Sequence, residues 1–247
     1  MPRIRKLSDW AGLASSPQSG ATGDGPPSQS VFMVGLGRFG SSMARELIAL
    51  NIEVMAIDTD QELIDRWASK LSHVRRADGT DTETLRQLGV ASFDTAVVAI
   101  GSDIEASILT TAALADLDGP TIWAKALTEE HGRILRRVGA DHVVFPEKQM
   151  GERVAHVVSG RVIDYFELDD SFAIAELRSP RVFVGKTLGE AGIRQKYGVT
   201  VFSVKPPEGT FTYATAETRI GENDLLLVAG EIAACERFAA AAAANEK

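Results

Sequence analysis

The stretch VFMVGLGRFG, residues 31–40, begins with apolar side chains and closes on Gly35, Gly37 and Gly40 at GxGxxG spacing. The apolar run reads as a buried strand and the glycines as a tight turn. The following SSMARELIAL, with Met43, Leu47 and Leu50 on one side, reads as a helix. Glycines between strand and helix let the backbone approach a phosphate, whose oxygens the N–H groups and the helix dipole can hold. Among them stands Arg38, a permanent cation where many dinucleotide-binding proteins carry something small. Its planar guanidinium offers forked donors suited to phosphate oxygens. The other reading is a solvated surface arginine.

Outward from this point the pattern alternates. IEVMAID, HVRRAD, FDTAVVAIG, TIWAKAL and HVVFP read as strands two to six, and ELIDRWASKL, TETLRQLGV, IEASILTTAALAD and EEHGRILRRVGA as the helices between them. Continuous apolar strands separated by helices imply a parallel sheet covered on both faces. The expected fold is α/β, a Rossmann-type doubly wound domain over residues 31–148. MGERVAHVVSGRVIDYF continues as an amphipathic helix, a connecting or dimerisation element over residues 149–165, with Val154, Val157, Val158 and Val162 as its apolar stripe. The texture then changes to short strands and turns with one inserted helix, LGEAGIRQKYG, which predicts a smaller α+β domain over residues 166–240. The closing AACERFAAAAAANEK reads as a fraying alanine-rich helix.

Residues 14–30 are rich in Ser, Gly and Pro and hold almost no large apolar side chains. Such a segment cannot offset its ordering entropy, so residues 1–30 are expected to form a disordered N-terminal extension. Within it PRIRKLSDW reads either as disordered tail or as a short basic helix that touches a partner or lipid headgroups.

The net charge of −8 argues against non-specific nucleic-acid binding, which needs a basic face. One cysteine, Cys235, excludes an internal disulfide and a cysteine-built metal cage. No apolar run is long enough to span a bilayer, and the N-terminus lacks the apolar block of a signal peptide. A cytoplasmic protein is therefore expected, with any membrane work done through a partner.

Asp58 ends the second strand about 20 residues beyond the glycines, where a carboxylate can accept both ribose hydroxyls. An acid there disfavours a cofactor with a 2′-phosphate, since two negative charges would face each other. Asp78, followed by Gly79, either accepts from the adenine amino group or caps the helix beginning near Asp81. The candidate binding set comprises Gly35, Gly37, Arg38, Phe39 and Gly40 on the first loop, and Asp58 and Thr59 after the second strand. Asp78 and Gly79 follow the third strand, Ile100 and Gly101 the fourth, and Lys125 the fifth. A dehydrogenase would also need a proton-transfer group in its second domain. All four histidines, His73, His131, His142 and His156, precede that domain. This favours a binding module over an oxidoreductase and leaves no catalytic residue to name.

The stretches VGLGRFG, AIDTD, ADGTDTETLRQLGV, VVAIGSDIEASILTT, AKALTEEHGRILRRVGADHVVFPEKQMG and VGKTLGEAGIRQKYGVTVFSV closely resemble the cytosolic RCK (KTN) regulatory subunits of Trk/Ktr potassium transporters. The resemblance covers residues 31 to about 235 and leaves out the first 30. VFPEKQMG is the segment that a generic Rossmann enzyme would not carry.

The resemblance implies RCK dimers assembled into an octameric ring, peripheral on the inner face of the cell membrane beneath an integral-membrane potassium transporter subunit of the KtrB/TrkH kind. ATP or ADP in the N-terminal lobes would set the ring's shape and the ion flux, and NAD(H) binding occurs in the wider family. It further implies that Arg38 reaches the terminal phosphate of the nucleotide in a neighbouring subunit, and that Glu147 helps hold Mg²⁺ or Ca²⁺ beside the phosphates. Lys125, at the end of the fifth strand, is expected to be a further phosphate contact. In many members cyclic di-AMP binds the C-terminal lobe; Arg194 is then either a contact to it or a solvated helix-face charge. Two alternatives remain open: an NAD-dependent oxidoreductase, and a regulatory subunit of another cation channel or antiporter.

Overall fold

The structure is a computed structural model that describes residues 29–160, 162–169 and 171–244. The expectations for residues 1–28 fall outside these. The chain forms two units that divide between Lys148 and Gln149.

The first unit holds six parallel strands: β1 (Ser30–Val34), β2 (Glu53–Asp58), β3 (His73–Arg76), β4 (Thr95–Val98), β5 (Thr121–Lys125) and β6 (His142–Val144). Their order is β3-β2-β1-β4-β5-β6. The connecting helices are α1 (Arg38–Ala49), α2 (Gln61–Trp67), α3 (Thr82–Gln87), α4 (Ile104–Ala115) and α5 (Glu129–Arg137). Strand side chains alternate between two cores. Val31 and Met33 of β1 pack with Ala44 of α1 and with Ile64 and Trp67 of α2. Phe32 and Val34 point the other way and pack with Leu85, Leu114 and Leu135 of α3, α4 and α5. Two covered faces are why the strand reads as an unbroken apolar run. The strand starts at Ser30, not Val31: the Ser30 N–H and hydroxyl donate to Asp94 at 2.8 and 3.0 Å, which ties the chain down before the first apolar residue.

The expected helix over residues 149–165 is displaced. Helix α6 runs Pro146–Val158, with proline in its first turn, where the missing N–H costs nothing. It closes before Gly160, whose φ of +72° breaks the helical path. The residues that extended the predicted helix instead form a strand, β7 (Asp164–Glu167). Arg153 of α6 clasps Asp164 with Nε and Nη2 at 2.7 and 2.5 Å, and its guanidinium lies 3.9 Å from the Phe166 ring centroid.

In the second unit β7 joins β8 (Phe172–Arg178), β9 (Thr200–Lys205), β10 (Thr212–Tyr213) and β11 (Leu225–Glu231) in an antiparallel sheet, ordered β10-β9-β11-β8-β7. The single helix expected over 188–198 is two, α7 (Leu188–Ala191) and α8 (Ile193–Tyr197), broken at Gly192 with φ +58°. The alanine-rich end does not fray over its described length. It forms α9 (Ile232–Ala244), which buries Ala234, Cys235, Phe238 and Ala242 against the sheet. Small side chains let this helix approach the strands closely, and Phe238 fills the gap.

Candidate nucleotide-binding site

Strand β1 delivers the chain to Gly35, which adopts φ +101° and lies so near β4 that a Cβ would stand 3.1 Å from the Ala99 carbonyl carbon. At Gly40 a Cβ would stand 2.0 Å from the Gly35 carbonyl oxygen, so only glycine lets α1 begin here. Gly37 is the N-cap of α1; it supplies no capping side chain, and among the described residues nothing beyond its chain neighbours lies within 4 Å of where its Cβ would be. The N–H groups of the first turn have no intrahelical acceptor. Helices α2, α3, α4 and α5 are all capped by their own side chains, from Asp60, Asp81, Asp103 and Thr128.

The loop is held from beneath. Trp67 Nε1 donates to Ser41 Oγ at 3.0 Å, and Ser41 Oγ donates to the Leu36 carbonyl at 2.6 Å. Asp58 accepts from Leu36 N–H at 2.6 Å on Oδ2 and from Asp60 N–H at 2.9 Å on Oδ1. It thus joins the loop to the end of β2 and keeps one lone pair on each oxygen for a ribose hydroxyl. The exposed Thr59 follows, its carbonyl accepting from Arg76 Nε at 3.0 Å.

Asp78 is not the cap of α3. Its Oδ1 accepts from Thr80 N–H and Oγ at 2.9 and 2.8 Å, while Asp81 accepts from Glu83 N–H and caps the helix. Gly79 is buried where a Cβ would strike Val34 Cγ1 at 2.6 Å. Beyond β4, Ile100 packs against the core and Gly101 leaves room for Lys125, whose Nζ would meet a Cβ there at 2.7 Å.

Lys125 is 6% exposed. Its Nζ donates to Glu147 Oε1 at 2.6 Å and lies 5.8 Å from the Phe39 ring centroid. The hydrogen bond from Lys125, and then the charges of Lys125 and Arg38, hold the Glu147 carboxyl below its usual range. Arg38 is exposed and forms no ion pair among the described residues. The fold therefore gathers Arg38, Phe39, Gly101, Lys125 and Glu147 around the mouth of the glycine loop. The Lys125–Glu147 pair spans 22 positions, and only the parallel pairing of β5 with β6, which delivers the chain to α6, brings it together. Among the described residues no three His, Cys, Asp or Glu side chains gather in a group able to hold a metal ion. One carboxylate already bound to a lysine does not by itself make such a site.

Arg194 belongs to the second unit. With Arg237, Thr200 and the backbone of Gly198 and Gly230 it borders a cleft of about 440 Å³.

This architecture matches known sequences. Residues 31–146 match the TrkA-N domain and residues 172–243 the TrkA-C domain. The Ktr system potassium uptake protein C of Bacillus subtilis (strain 168) is 39% identical over 83% of this chain and 94% of its own length. The chain belongs to the Ktr family of potassium uptake proteins. Protein A of the same system in that organism is 37% identical, over 83% of this chain and 93% of its own, and the Vibrio alginolyticus protein A 31% identical, over 80% and 90%. Among solved structures, the GsuK RCK domain superposes with a TM-score of 0.60 at 20% identity over 95% of this chain and 52% of that one. The family member described here thus spans about half the length of that chain and shares its fold. Among the described residues no helix is long and apolar enough to cross a membrane.

Proposed function

We propose that this chain is a cytosolic nucleotide-sensing gating subunit of a potassium uptake system, acting on a separate integral-membrane pore subunit of the KtrB/TrkH kind at the inner face of the membrane. The observation that carries this reading is the open N-terminus of α1. It has a glycine cap, uncapped first-turn N–H groups, no acid in the first turn, and free space above Gly37. Backbone donors and a positive helix end are suited to phosphate oxygens. Asp58, at the end of β2, would take the ribose hydroxyls, and the exposed Asp78 the adenine edge. ATP and ADP are the ligands this set suits best, with NAD(H) as the alternative.

A ligand shifts a conformational equilibrium only through contacts that differ between its states. ATP and ADP differ by one phosphoryl group, and Arg38, Lys125 and Glu147 are the charged groups beside the loop. Arg38, which forms no ion pair with a carboxylate among the described residues, would meet a terminal phosphate. In an octameric ring of dimers that phosphate would belong to the nucleotide of a neighbouring subunit, and Mg²⁺ or Ca²⁺ would reach Glu147 only with the phosphates as further ligands. Helix α6 supports assembly: Met150, Val154 and Val158 recur at four-residue spacing, and Val158 is 78% exposed.

A second ligand is favoured by the cleft in the second unit. Arg194 and Arg237 border it, and neither pairs with a carboxylate among the described residues. Two free guanidinium groups beside glycine backbone suit a phosphodiester, and cyclic di-AMP is the inhibitor proposed there.

The test is co-purification with the membrane subunit and potassium flux into vesicles holding both. Flux that rises with ATP and falls with ADP supports the proposal. Flux indifferent to both nucleotides contradicts it, and turnover of NADH by the purified chain would favour the oxidoreductase.

A further inference from the structure

Arg76 ends β3, and the parallel register pairs it with Asp58, the residue that ends β2. Paired residues on neighbouring parallel strands point to the same face of the sheet. Val74, two residues earlier, packs into the core beside Trp67 and Ile64, so Arg76 continues that face past the end of the core. Two opposite charges at such neighbouring positions would ordinarily pair. Here they do not: Asp58 is engaged by the N–H groups of Leu36 and Asp60, and Arg76 turns its Nε to the Thr59 carbonyl. Thr59 is the residue that follows Asp58. The Arg76 guanidinium is thereby fixed beside the end of β2 with both Nη groups making no hydrogen bond or ion pair to a described residue. Of the nearby acids, Asp60 caps α2 and Asp78 is engaged by Thr80.

The ribose of an adenine nucleotide held at such a glycine loop lies against the end of the second strand. An acid there normally rejects a 2′-phosphate, and an arginine there normally accepts one. This chain has both, with the acid turned into the loop and the arginine left open. We infer that Arg76 is a specificity-determining residue that lets the site accept an adenine dinucleotide bearing a 2′-phosphate, which Asp58 alone would exclude. The inference rests on the nucleotide-binding reading above. It concerns only the ribose end of the ligand, whereas Arg38 and Glu147 concern the opposite, phosphate end.

NAD⁺ and NADP⁺ differ only by the 2′-phosphate, so the ratio of their dissociation constants isolates this contact. Calorimetric titration of the full chain with NAD⁺, NADP⁺ and ATP, repeated on Arg76→Ala and Arg76→Lys, reads that ratio. Arg76→Ala should weaken NADP⁺ by about tenfold or more while NAD⁺ and ATP change by less than about threefold, and Arg76→Lys should recover part of the loss. Arg76 is exposed and its side chain makes one hydrogen bond among the described residues, to a backbone carbonyl, so the variants should fold; equal urea midpoints check this. An NAD⁺-to-NADP⁺ ratio that moves by less than about threefold in Arg76→Ala overturns the inference, as does NADP⁺ binding too weak to detect where NAD⁺ binds. Binding of ATP and NAD⁺ in either case leaves the nucleotide reading standing. Failure of all three ligands to bind overturns both.

Discussion

Helices α1 and α4 follow neighbouring strands of one parallel sheet, β1 and β4, and their N-termini are finished in opposite ways. Asp103 caps α4, accepting from Ala106 N–H at 2.9 Å, and Glu105 places a second acid in the first turn. Gly37 caps α1 with no side chain, and the first turn carries a cation, Arg38, in place of an acid. One helix end is satisfied by its own carboxylates; the other has no side-chain cap, and in the proposed function it keeps its donors and its dipole for an anion from outside. On the proposed function, stability and binding part company here: α4 is closed for the sake of the fold, and α1 is left open at some cost to it.

The harshest challenge to that contrast is Gly40→Ala. A methyl group 2.0 Å from the Gly35 carbonyl oxygen cannot be accommodated without moving α1 off the loop. Chemical denaturation should show a loss of about 3 kcal/mol or more, together with loss of nucleotide binding. Next comes Asp58→Ala. It removes the acceptor of the Leu36 N–H and the proposed ribose anchor together, and calorimetry should show ATP, ADP and NADH weakened alike by about 1–3 kcal/mol. Equal affinities in variant and wild type would remove Asp58 from the site.

Arg38→Ala sharpens the comparison within α1 itself. ATP affinity should fall by about tenfold, or 1.4 kcal/mol, with ADP much less affected and ATP-stimulated flux lost. If both nucleotides weaken equally, Arg38 is an anchor and does not count phosphates. At α4 the corresponding change, Asp103→Ala, should cost about 1 kcal/mol in urea denaturation and leave ATP affinity untouched. The smallest effect concerns Glu147, whose carboxyl is held below its usual range first by the Lys125 hydrogen bond. A depressed carboxylate contributes stability above its unfolded value and loses it as pH falls. Any advantage of wild type over Glu147→Gln should therefore be present at neutral pH and fade below about pH 4. An advantage that persists in acid would mean that the ion pair is not its source.

The first unit was legible in the sequence because its central strands, β1 and β4 above all, are covered on both faces. VFMV and TAVV announce themselves as short unbroken apolar runs, and the glycine spacing marks the turn between strand and helix. What escaped was decided by contacts distant in sequence. RVIDYF continues the apolar spacing of α6, yet Asp164–Glu167 pairs with β8 as a strand, with Asp164 clasped by Arg153 and Tyr165 buried in the second core. The terminal alanines look like a solvated helix until the sheet they cover is known. On paper Asp78 reads equally well as an adenine acceptor or as the cap of α3; in the fold Asp81 takes the cap and Thr80 engages Asp78. Within the site the glycines, Arg38 and Asp58 could be found from spacing alone. The engagement of Lys125 by Glu147, and of Arg76 by the strand end beside Asp58, could not, since sheet register creates both.

The comparison between the two helix ends reduces to one substitution, Gly37→Asp. The backbone there is extended, at φ −61° and ψ −167°, and the space above it is open, so an aspartate can cap α1 as Asp103 caps α4. The expected result, from urea denaturation and ATP calorimetry on the same sample, is a fold as stable as wild type or firmer by a few tenths of a kcal/mol, with ATP binding abolished because a carboxylate now occupies the phosphate position. A variant that folds normally and binds ATP as tightly as wild type would contradict the claim that the open end of α1 is the nucleotide's phosphate site.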